Sequence, residues 1–577
     1  MRTSTFWQGF SVSLALTFIF LYSLIFNINN PPDLSHGDSF HVILTLKHYM
    51  DVVLQNRWVD ILQMPIFYGF ADSLLYSELF IFHAVVALPI YLFFKDSIIT
   101  YNVLSVLTII FSVFSMFLLA KYITGRFWPS VLASVIYVFN PFVIGHFPDN
   151  LHYFSLQWIP LIFLYFEKFL KEQTAKFGFL IFLFLTLQLL TTITFGALLS
   201  VILPIYGLIR IWQMEYISNL SKLSHLKKFL NLGIVCGLVL FSTTAFGINQ
   251  VYNIYFQGKT FGRDLAETAV FSPWVYDLFL TSPNNLIYGW GRQWSKENLP
   301  VFFFDNPEYI ERNLFFGLGV WVLLITSFFI VRKSQHRKIW LASLVVVGFA
   351  VALSFGPRIR FSEYFSLPGP YGFLHQFHPL LQNLRVASRF MVLAFLFLGL
   401  IGAITSLEIL KKPRGNIIII IFIIVIILEY SSTPWQFRPI PEDLRQFYSV
   451  LEKQKDVDVL LELPIGNLFS RIGLSRGQFV ETSYMLYGAT LHNKKLINGY
   501  SSYTPVQYPA RVEYLSVNFP TTLKLKTLQK WGVGAIAMHK REFQFGDEYD
   551  SIKLKLESLG VEKLYETSTL VLFKLKK

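Results

Sequence analysis

Charged residues are scarce in this chain: Asp, Glu, Lys and Arg together make up 15% of its 577 residues, against 54% hydrophobic. A soluble domain devotes about a quarter of its residues to charge, so residues 1–431 lack the polar surface that would keep them in water. Cysteine is nearly absent too. The lone Cys236 sits inside an apolar run, which excludes an intrachain disulfide and says nothing of redox compartment. Several catalytic signatures are also missing. There is no phosphate-cradling Walker loop, no Gly-x-Ser-x-Gly, no Cys-x-x-Cys and no His-Glu-x-x-His. ATP-driven transport and membrane proteolysis by those routes are therefore excluded. No long internal repeat and no low-complexity linker divides the chain.

What the chain has instead is phenylalanine (60 residues) and long apolar runs. The first, about 6–28, is too long for a signal-peptide core and offers no small-x-small cleavage site in Asn27-Ile28-Asn29-Asn30-Pro31-Pro32; it reads as an uncleaved transmembrane helix. Further stretches long enough for a bilayer core of about 30 Å fall near 74–95, 98–120, 128–146, 153–170, 177–194, 196–213, 229–250, 313–331, 339–355, 387–409 and 416–431. The net charge of +13 does not point to nucleic acid, because its Lys and Arg lie in short clusters between these runs. Such clusters orient helices in a membrane, so the lipid bilayer is the expected partner and nucleic acid is not. They fall at Lys121/Arg126, Lys168/Lys171/Lys176, Lys222/Lys227/Lys228, Arg332/Lys333/Arg337/Lys338 and Lys411/Lys412/Arg414, in every second loop. All five are cytoplasmic if 74–95 spans and the N-terminus lies outside; the alternative, with Arg2 placing the N-terminus inside, is that 74–95 does not cross, but lies at the outer interface or re-enters. Ser77, Glu78, His83 and Pro89 make that segment suitable. The expectation is a multi-pass cell-membrane protein with about eleven transmembrane helices, outer juxtamembrane helices and a cytoplasmic N-terminus.

Beyond Pro434 charge becomes frequent and strand-like runs appear at 457–463, 534–538 and 570–573. Residues 521–530 carry the 3.6-residue period of a helix, closed by Trp531-Gly532. Residues 1–431 thus read as a transmembrane domain and 432–577 as a small extracytoplasmic α/β domain.

In this topology Asp38, in His36-Gly37-Asp38-Ser39-Phe40-His41, and Asp149, in Gly145-His146-Phe147-Pro148-Asp149-Asn150-Leu151-His152, fall on the same side of the bilayer. A carboxylate beside His and Asn can serve as a general base, a metal ligand or a hydroxyl anchor; it can equally be a solvated turn residue or a helix cap. His36, His41, His146 and His152 show no metal-ligand spacing. Basic residues on the outer side are disfavoured by the topology rule, so Arg358 and Arg360, and Arg385 and Arg389, stand out. The last two, four apart, are expected on one face of a helix start, where guanidinium groups suit a phosphate; snorkelling into headgroups is the plain alternative.

The arrangement resembles the GT-C glycosyltransferases, membrane enzymes that use polyprenyl-phosphate sugars, and in particular a poorly characterised bacterial branch. Asp38 and the 36–97 segment resemble the family's long first outer loop with its acidic residue, and Asp149 resembles the second acidic position. Tyr101-Asn102, Tyr137-Val138-Phe139-Asn140-Pro141-Phe142, His146, Gln157-Trp158-Ile159-Pro160-Leu161, Ser354-Phe355-Gly356-Pro357, Leu367-Pro368-Gly369-Pro370-Tyr371, Arg385-x-x-x-Arg389-Phe390, Glu462-Leu463-Pro464 and Asn498-Gly499-Tyr500 look like that branch. The chain departs from it in having Gly-Asp-Ser where many active members have paired acids, and a lone Asp149 in the second loop. The resemblance implies a hexosyltransferase-like enzyme that moves a sugar from a polyprenyl-phosphate donor to an acceptor hydroxyl on the outer face, with inversion. The acceptor would be a glycan, lipid or protein in a cell-envelope pathway. It implies Asp38 as catalytic base, Asp149, Glu78 and His152 as a second acidic, acceptor or metal site, and Arg385, Arg389 and Arg358 at the donor phosphate. A divalent cation such as Mg or Mn is the cofactor to be considered, with no ligand set assigned. The rival class is a non-catalytic transporter or scaffold for a lipid-linked saccharide. A transporter needs ionisable groups deep in the bilayer, and the span interiors offer little beyond Gln188, Gln250 and Glu429.

Overall fold

A computed structural model of the chain describes residues 3–33, 37–214, 264–298, 310–378, 380–465, 476–540, 543 and 546–575. The expected span at 229–250, with Cys236, Gln250 and the Lys222/Lys227/Lys228 cluster, lies outside the described residues, as does His36. The protein is mostly helical, with a small C-terminal sheet. It divides into two compact units. The first holds Met1–Tyr22, Val106–Phe147 and His152–Pro434; the second holds Ser23–Ser105, Pro148–Leu151 and Trp435–Lys577.

Five described helices are long and apolar enough to cross a membrane: Thr3–Phe26, Ser97–Thr124, Ile193–Gln213, Arg337–Ser354 and Ala387–Leu410. Shorter apolar helices occupy Ile81–Phe94, Phe127–Val138, Ala175–Thr191 and Gly415–Tyr430. The expected span at 128–146 is two helices. Phe127–Val138 ends at Phe139, and Asn140 then caps Pro141–His146, its side chain accepting from the Val143 amide at 3.1 Å. Proline at the first helical position lacks the N–H that would be orphaned there, so Asn140-Pro141 marks a restart. The 74–95 stretch is likewise divided, into a short turn at Ser73–Tyr76 and the helix Ile81–Phe94. At about 1.5 Å per residue, the 14 residues of that helix fall short of a bilayer core.

In the first unit the Met391–Leu410 helix is almost wholly buried and packs against Phe127–Val138, Leu318–Ile330 and Arg337–Ser354. Small residues permit this closeness: a Cβ on Gly399 would lie 2.9 Å from the Ala133 carbonyl oxygen. Buried charges are consumed by structure. Glu167 takes a bidentate pair from Arg210 (2.7 and 2.9 Å) and a hydrogen bond from Tyr206 (2.7 Å). Glu429 accepts from the Leu318 and Gly319 amides, both at 2.9 Å, so it caps the N-terminus of Leu318–Ile330, where negative charge is favoured. Strands β1 (Arg358–Arg360) and β2 (Ser366–Pro368) form a short antiparallel ribbon.

The second unit is built on a five-stranded sheet of β3 (Val459–Leu463), β4 (Lys495–Leu496), β5 (Val533–His539), β6 (Glu562–Glu566) and β7 (Leu570–Lys574), in the order β4-β3-β5-β7-β6. β3 runs parallel to β4 and β5, while β7 is antiparallel to β5 and β6. The three strand-like runs of the sequence are β3, β5 and β7. All of β3 and β5 is buried, which is why their apolar runs are continuous rather than alternating. Helix Thr522–Lys530 starts where Thr521 caps it and stops at Trp531. The 23–105 segment is knitted to this sheet. Tyr68 donates to the Leu496 carbonyl (2.8 Å), Leu496 to that of Pro65 (2.9 Å) and Phe67 to that of Asn498 (2.8 Å), so the loop covers the short edge strand β4. The Gly37–Leu54 helix packs on the Arg476–His492 helix.

Candidate functional site

Asp38 stands in the first turn of Gly37–Leu54, where the helix N-terminus favours a carboxylate. Among the described residues, two neutral donors hold it. The Asn150 amide donates to one carboxylate oxygen at 2.9 Å, and the Tyr500 hydroxyl donates to the other. Each partner is itself positioned. The Tyr101 hydroxyl bonds the Pro148 carbonyl and lies 3.4 Å from that of Asp149, fixing the turn that carries Asn150. Asn498 exchanges two 2.8 Å hydrogen bonds with the Glu462 backbone, and Gly499 donates to the Tyr508 hydroxyl at 2.9 Å. Only glycine fits at 499, since a Cβ there would meet the Phe67 ring at 2.1 Å. Asn498-Gly499-Tyr500 is thus a device that anchors the chain, clears a ring and delivers a hydroxyl to Asp38. One turn beyond Asp38, His41 is buried, with neither ring nitrogen hydrogen-bonded. Burial pushes its imidazole down to about 4, against the opposing pull of the Asp38 charge, so it is neutral at physiological pH. An ionised carboxylate has about four lone-pair positions, so two neutral donors leave Asp38 with capacity to accept a hydroxyl proton.

Asp149 lies half-buried in the Pro148–Leu151 segment, and Glu78 lies half-buried just ahead of Ile81–Phe94. His152 belongs to the first unit, buried in the short helix Leu151–Phe154 with its ring 3.7 Å from that of Tyr153. Among the described residues no group of three or more His, Cys, Asp or Glu converges to hold a metal ion. No ligand set for Mg or Mn is therefore assigned.

The arginines also lie in the first unit, and here a sequence expectation is corrected. Arg385 and Arg389 do not share a helical face. Arg385 sits at a bend, Val386 is extended, and a 3-10 turn over Ala387–Phe390 leads into the helix that begins at Met391. The Leu384 carbonyl, which a continuous helix would use, instead accepts from the Tyr371 hydroxyl at 2.9 Å. Arg385 lies over the Phe271 ring at 4.6 Å and Arg358 is exposed. Arg389 is buried, donating to Glu311 at 2.7 Å and lying 4.0 Å from the Tyr153 ring centre. The other Glu311 oxygen is 3.1 Å from His146 Nε2. Burial pushes the Glu311 carboxyl upward, but the Arg389 and His146 charges outweigh it and hold it well below the usual range. Nearby in sequence, Arg292 (2.9 Å) and Arg312 (3.1 Å) close on the buried Asp277.

Sequence reasoning missed Asn150, Tyr500, Glu311, Asp277, Arg292 and Arg312 as site residues. Signals existed for some. Asn498-Gly499-Tyr500 stood out as a motif, and Arg292 and Arg312 are basic residues in a loop where such residues are disfavoured. Glu311 carried no local mark.

No protein-family model matches the chain, and no curated protein matches it. Solved structures do. The arabinofuranosyltransferase AftD from mycobacteria, a GT-C enzyme, superposes with a TM-score of 0.55 at 12% identity, over 99% of this chain and 40% of that one. The fold is GT-C-like. A second structure of AftD, a single-residue variant, superposes at a TM-score of 0.53 and 12% identity, over 100% of this chain and 42% of that one. The chain therefore spans about 40% of the length of the enzyme it resembles. An oligosaccharyltransferase from Archaeoglobus fulgidus aligns over 98% of this chain and 73% of that one, at 10% identity and a TM-score of 0.38, too weak a likeness to carry an argument. The GT-C-like fold and its apolar helices make this an integral membrane protein.

Proposed function

We propose that this protein is a membrane glycosyltransferase that moves a sugar from a polyprenyl-phosphate donor to an acceptor hydroxyl on the outer face of the membrane, with inversion. The observation that carries the reading is the held Asp38 carboxylate: a general base needs a fixed orientation and spare accepting capacity, and Asn150 and Tyr500 supply the first without exhausting the second. In this reading Asp38 takes the acceptor proton as the hydroxyl oxygen attacks the anomeric carbon. The bond to the donor phosphate breaks, and its electron pair leaves with the polyprenyl phosphate. Preorganised cations stabilise charge that develops on a leaving group. Arg385 and the exposed Arg358 are assigned to that phosphate. Arg389 is assigned with them, its charge shared with Glu311. Asp149, Glu78 and His152 are assigned to acceptor recognition. Mg or Mn is carried as a cofactor to be tested, and no step is routed through it.

The transporter reading is disfavoured by the fate of the buried charges. Glu429 caps a helix and Glu167 is locked to Arg210, so neither offers a site for cargo. The deciding experiment measures transfer from synthetic polyprenyl-phosphate sugars by the purified full chain and its Asp38→Asn variant, with the anomeric configuration of the product determined. Transfer that survives Asp38→Asn, or a product of retained configuration, would overturn the reading.

A further inference from the structure

The second unit contains a cleft of about 500 Å³ that Asp38 does not line. One wall is a face of the Gly37–Leu54 helix and its C-terminal extension, presenting Lys47, His48, Asp51 and Gln55. The other is formed by the 57–71 loop and the turn after Arg476–His492, presenting Tyr68, Asn493 and Lys495. The cleft is polar, and four of its five charged side chains pair off, with Lys495 left without a carboxylate partner among the described residues. Lys47 bonds both Asp51 oxygens at 2.5 and 2.6 Å, Arg57 lies 3.3 Å from Asp60, and Lys495 sits 5.7 Å from the centre of the Tyr68 ring. Burial, the largest influence, lowers the His48 pKa, so this ring adds no charge at neutral pH. The walls are set in advance. Gln63 ties the loop by donating to the Phe70 carbonyl at 3.0 Å and accepting from the Asp72 amide at 3.1 Å. His48 Nε2 lies 3.0 Å from the Ile61 carbonyl.

A preformed cleft with most of its charges paired, amides that both donate and accept and a half-buried aromatic ring suits a neutral polyol. A multiply charged anion would need more than the one cation, Lys495, that the wall leaves without a carboxylate, and an apolar ligand would strand the polar walls. We propose that this cleft binds a neutral oligosaccharide and is an acceptor subsite of the transfer reaction. The proposal rests on the glycosyltransferase reading for its role, though not for its ligand. The shared helix sets the spacing. His48 lies ten residues beyond Asp38, about 15 Å along the axis and roughly a quarter of a turn away in angle. A single sugar ring does not reach from one to the other, whereas a short oligosaccharide does. The inference is therefore specific: long acceptors gain from the cleft and monosaccharides do not.

The test uses the purified full chain and linear neutral oligosaccharides of mannose, galactose, arabinose or rhamnose, from one to six residues, with uronate-containing chains as the anionic control. Binding is read by calorimetry, and transfer is read as KM and kcat for each acceptor length. At least one neutral series is expected to bind more tightly as it lengthens. Gln55→Ala, Tyr68→Ala and Asn493→Gly are each expected to weaken the longer members about tenfold, the effect of one well-made hydrogen bond or contact. They should raise KM for those acceptors while leaving kcat and the shortest acceptors unchanged. Asn493 has φ of 56° at its end of the helix, a conformation glycine adopts without strain, so Asn493→Gly removes the amide without disturbing the turn. Absence of binding across the neutral series, preference for the anionic chains, or binding indifferent to all three variants overturns the cleft. Oligosaccharide binding through the cleft with no transfer from any donor leaves the cleft standing and removes the glycosyltransferase reading instead.

Discussion

At the scale of single residues, Asp38 and Tyr500 make the sharpest claims. Asp38→Asn keeps the shape and one accepting oxygen but removes the basic one, so kcat is expected to fall roughly 100-fold or more while the thermal midpoint of the purified protein holds. Tyr500→Phe removes one donor to a charged acceptor. Such bonds contribute about 1.5–3 kcal/mol, so a loss of about tenfold or more in kcat is expected, and an unchanged kcat would show that the hydroxyl does not orient the base. Arg385 is tested on the donor side. Arg385→Ala should raise the donor KM without changing acceptor KM, and Arg385→Lys should recover only part of the loss, because an ammonium lacks the two-pronged geometry that fits phosphate. Free exchange of Lys for Arg at 385 would mean a headgroup anchor instead.

At the scale of elements, the turn before Met391 shows how a spacing argument fails. Four residues separate Arg385 from Arg389, and a helix would align them. The backbone is not helical there because the Leu384 carbonyl is already engaged by Tyr371, and the apolar run that sustains the helix begins only afterwards. The consequence is that Arg389 points into a buried cluster with Glu311 and His146. Removing one partner of a buried pair costs about 3–5 kcal/mol, whereas replacing both with apolar groups is often neutral. Arg389→Met is therefore expected to lower the thermal midpoint sharply, and Glu311→Leu combined with Arg389→Met to restore most of it. A double variant no more stable than the single one would refute this account of the cluster.

At the scale of the whole molecule, the proposed topology can be mapped by labelling. With Cys236 replaced by Ala, cysteines at the exposed positions Gln55 and Asn493 are expected to react with an impermeant thiol reagent in intact cells. One at the exposed Lys412 should react only after permeabilisation. Reaction at Lys412 before permeabilisation would reverse the proposed orientation. The second unit should also be acid-sensitive. Burial lowers the pKa of His41 to about 4, that of His48, and that of His492 to about 3. The unfolded chain, with ordinary imidazoles near 6.5, binds more protons than the folded one below that pH. Stability therefore rises with pH across this window, and it falls as pH drops from about 6.5 toward 4 and 3. Scanning fluorimetry over that range should show the decline. It should be shallower in His492→Gln, whose residue lies outside the Asp38 site, and an identical profile would discount this histidine.

The membrane class, the apolar helices and the three longest-run strands of the sheet were determined by the sequence alone. Their cause is local: lipid and a buried sheet both demand continuous apolar runs, and such runs can be read without knowing what they touch. Asp38 and the Asn498-Gly499-Tyr500 motif were also visible, but only as separate points, because nothing local says that one hydroxyl meets one carboxylate across 462 residues of chain. Glu311 was invisible for the same reason. An acidic residue in a loop reads as solvated until tertiary packing buries it between an arginine and a histidine. The cleft beyond Asp38 likewise exists only because the 57–71 loop pairs with β4 and turns its polar side toward the Gly37–Leu54 helix. Hydrophobic pattern thus decided the elements, and the long-range hydrogen bonds of the folded backbone decided which side chains could act together.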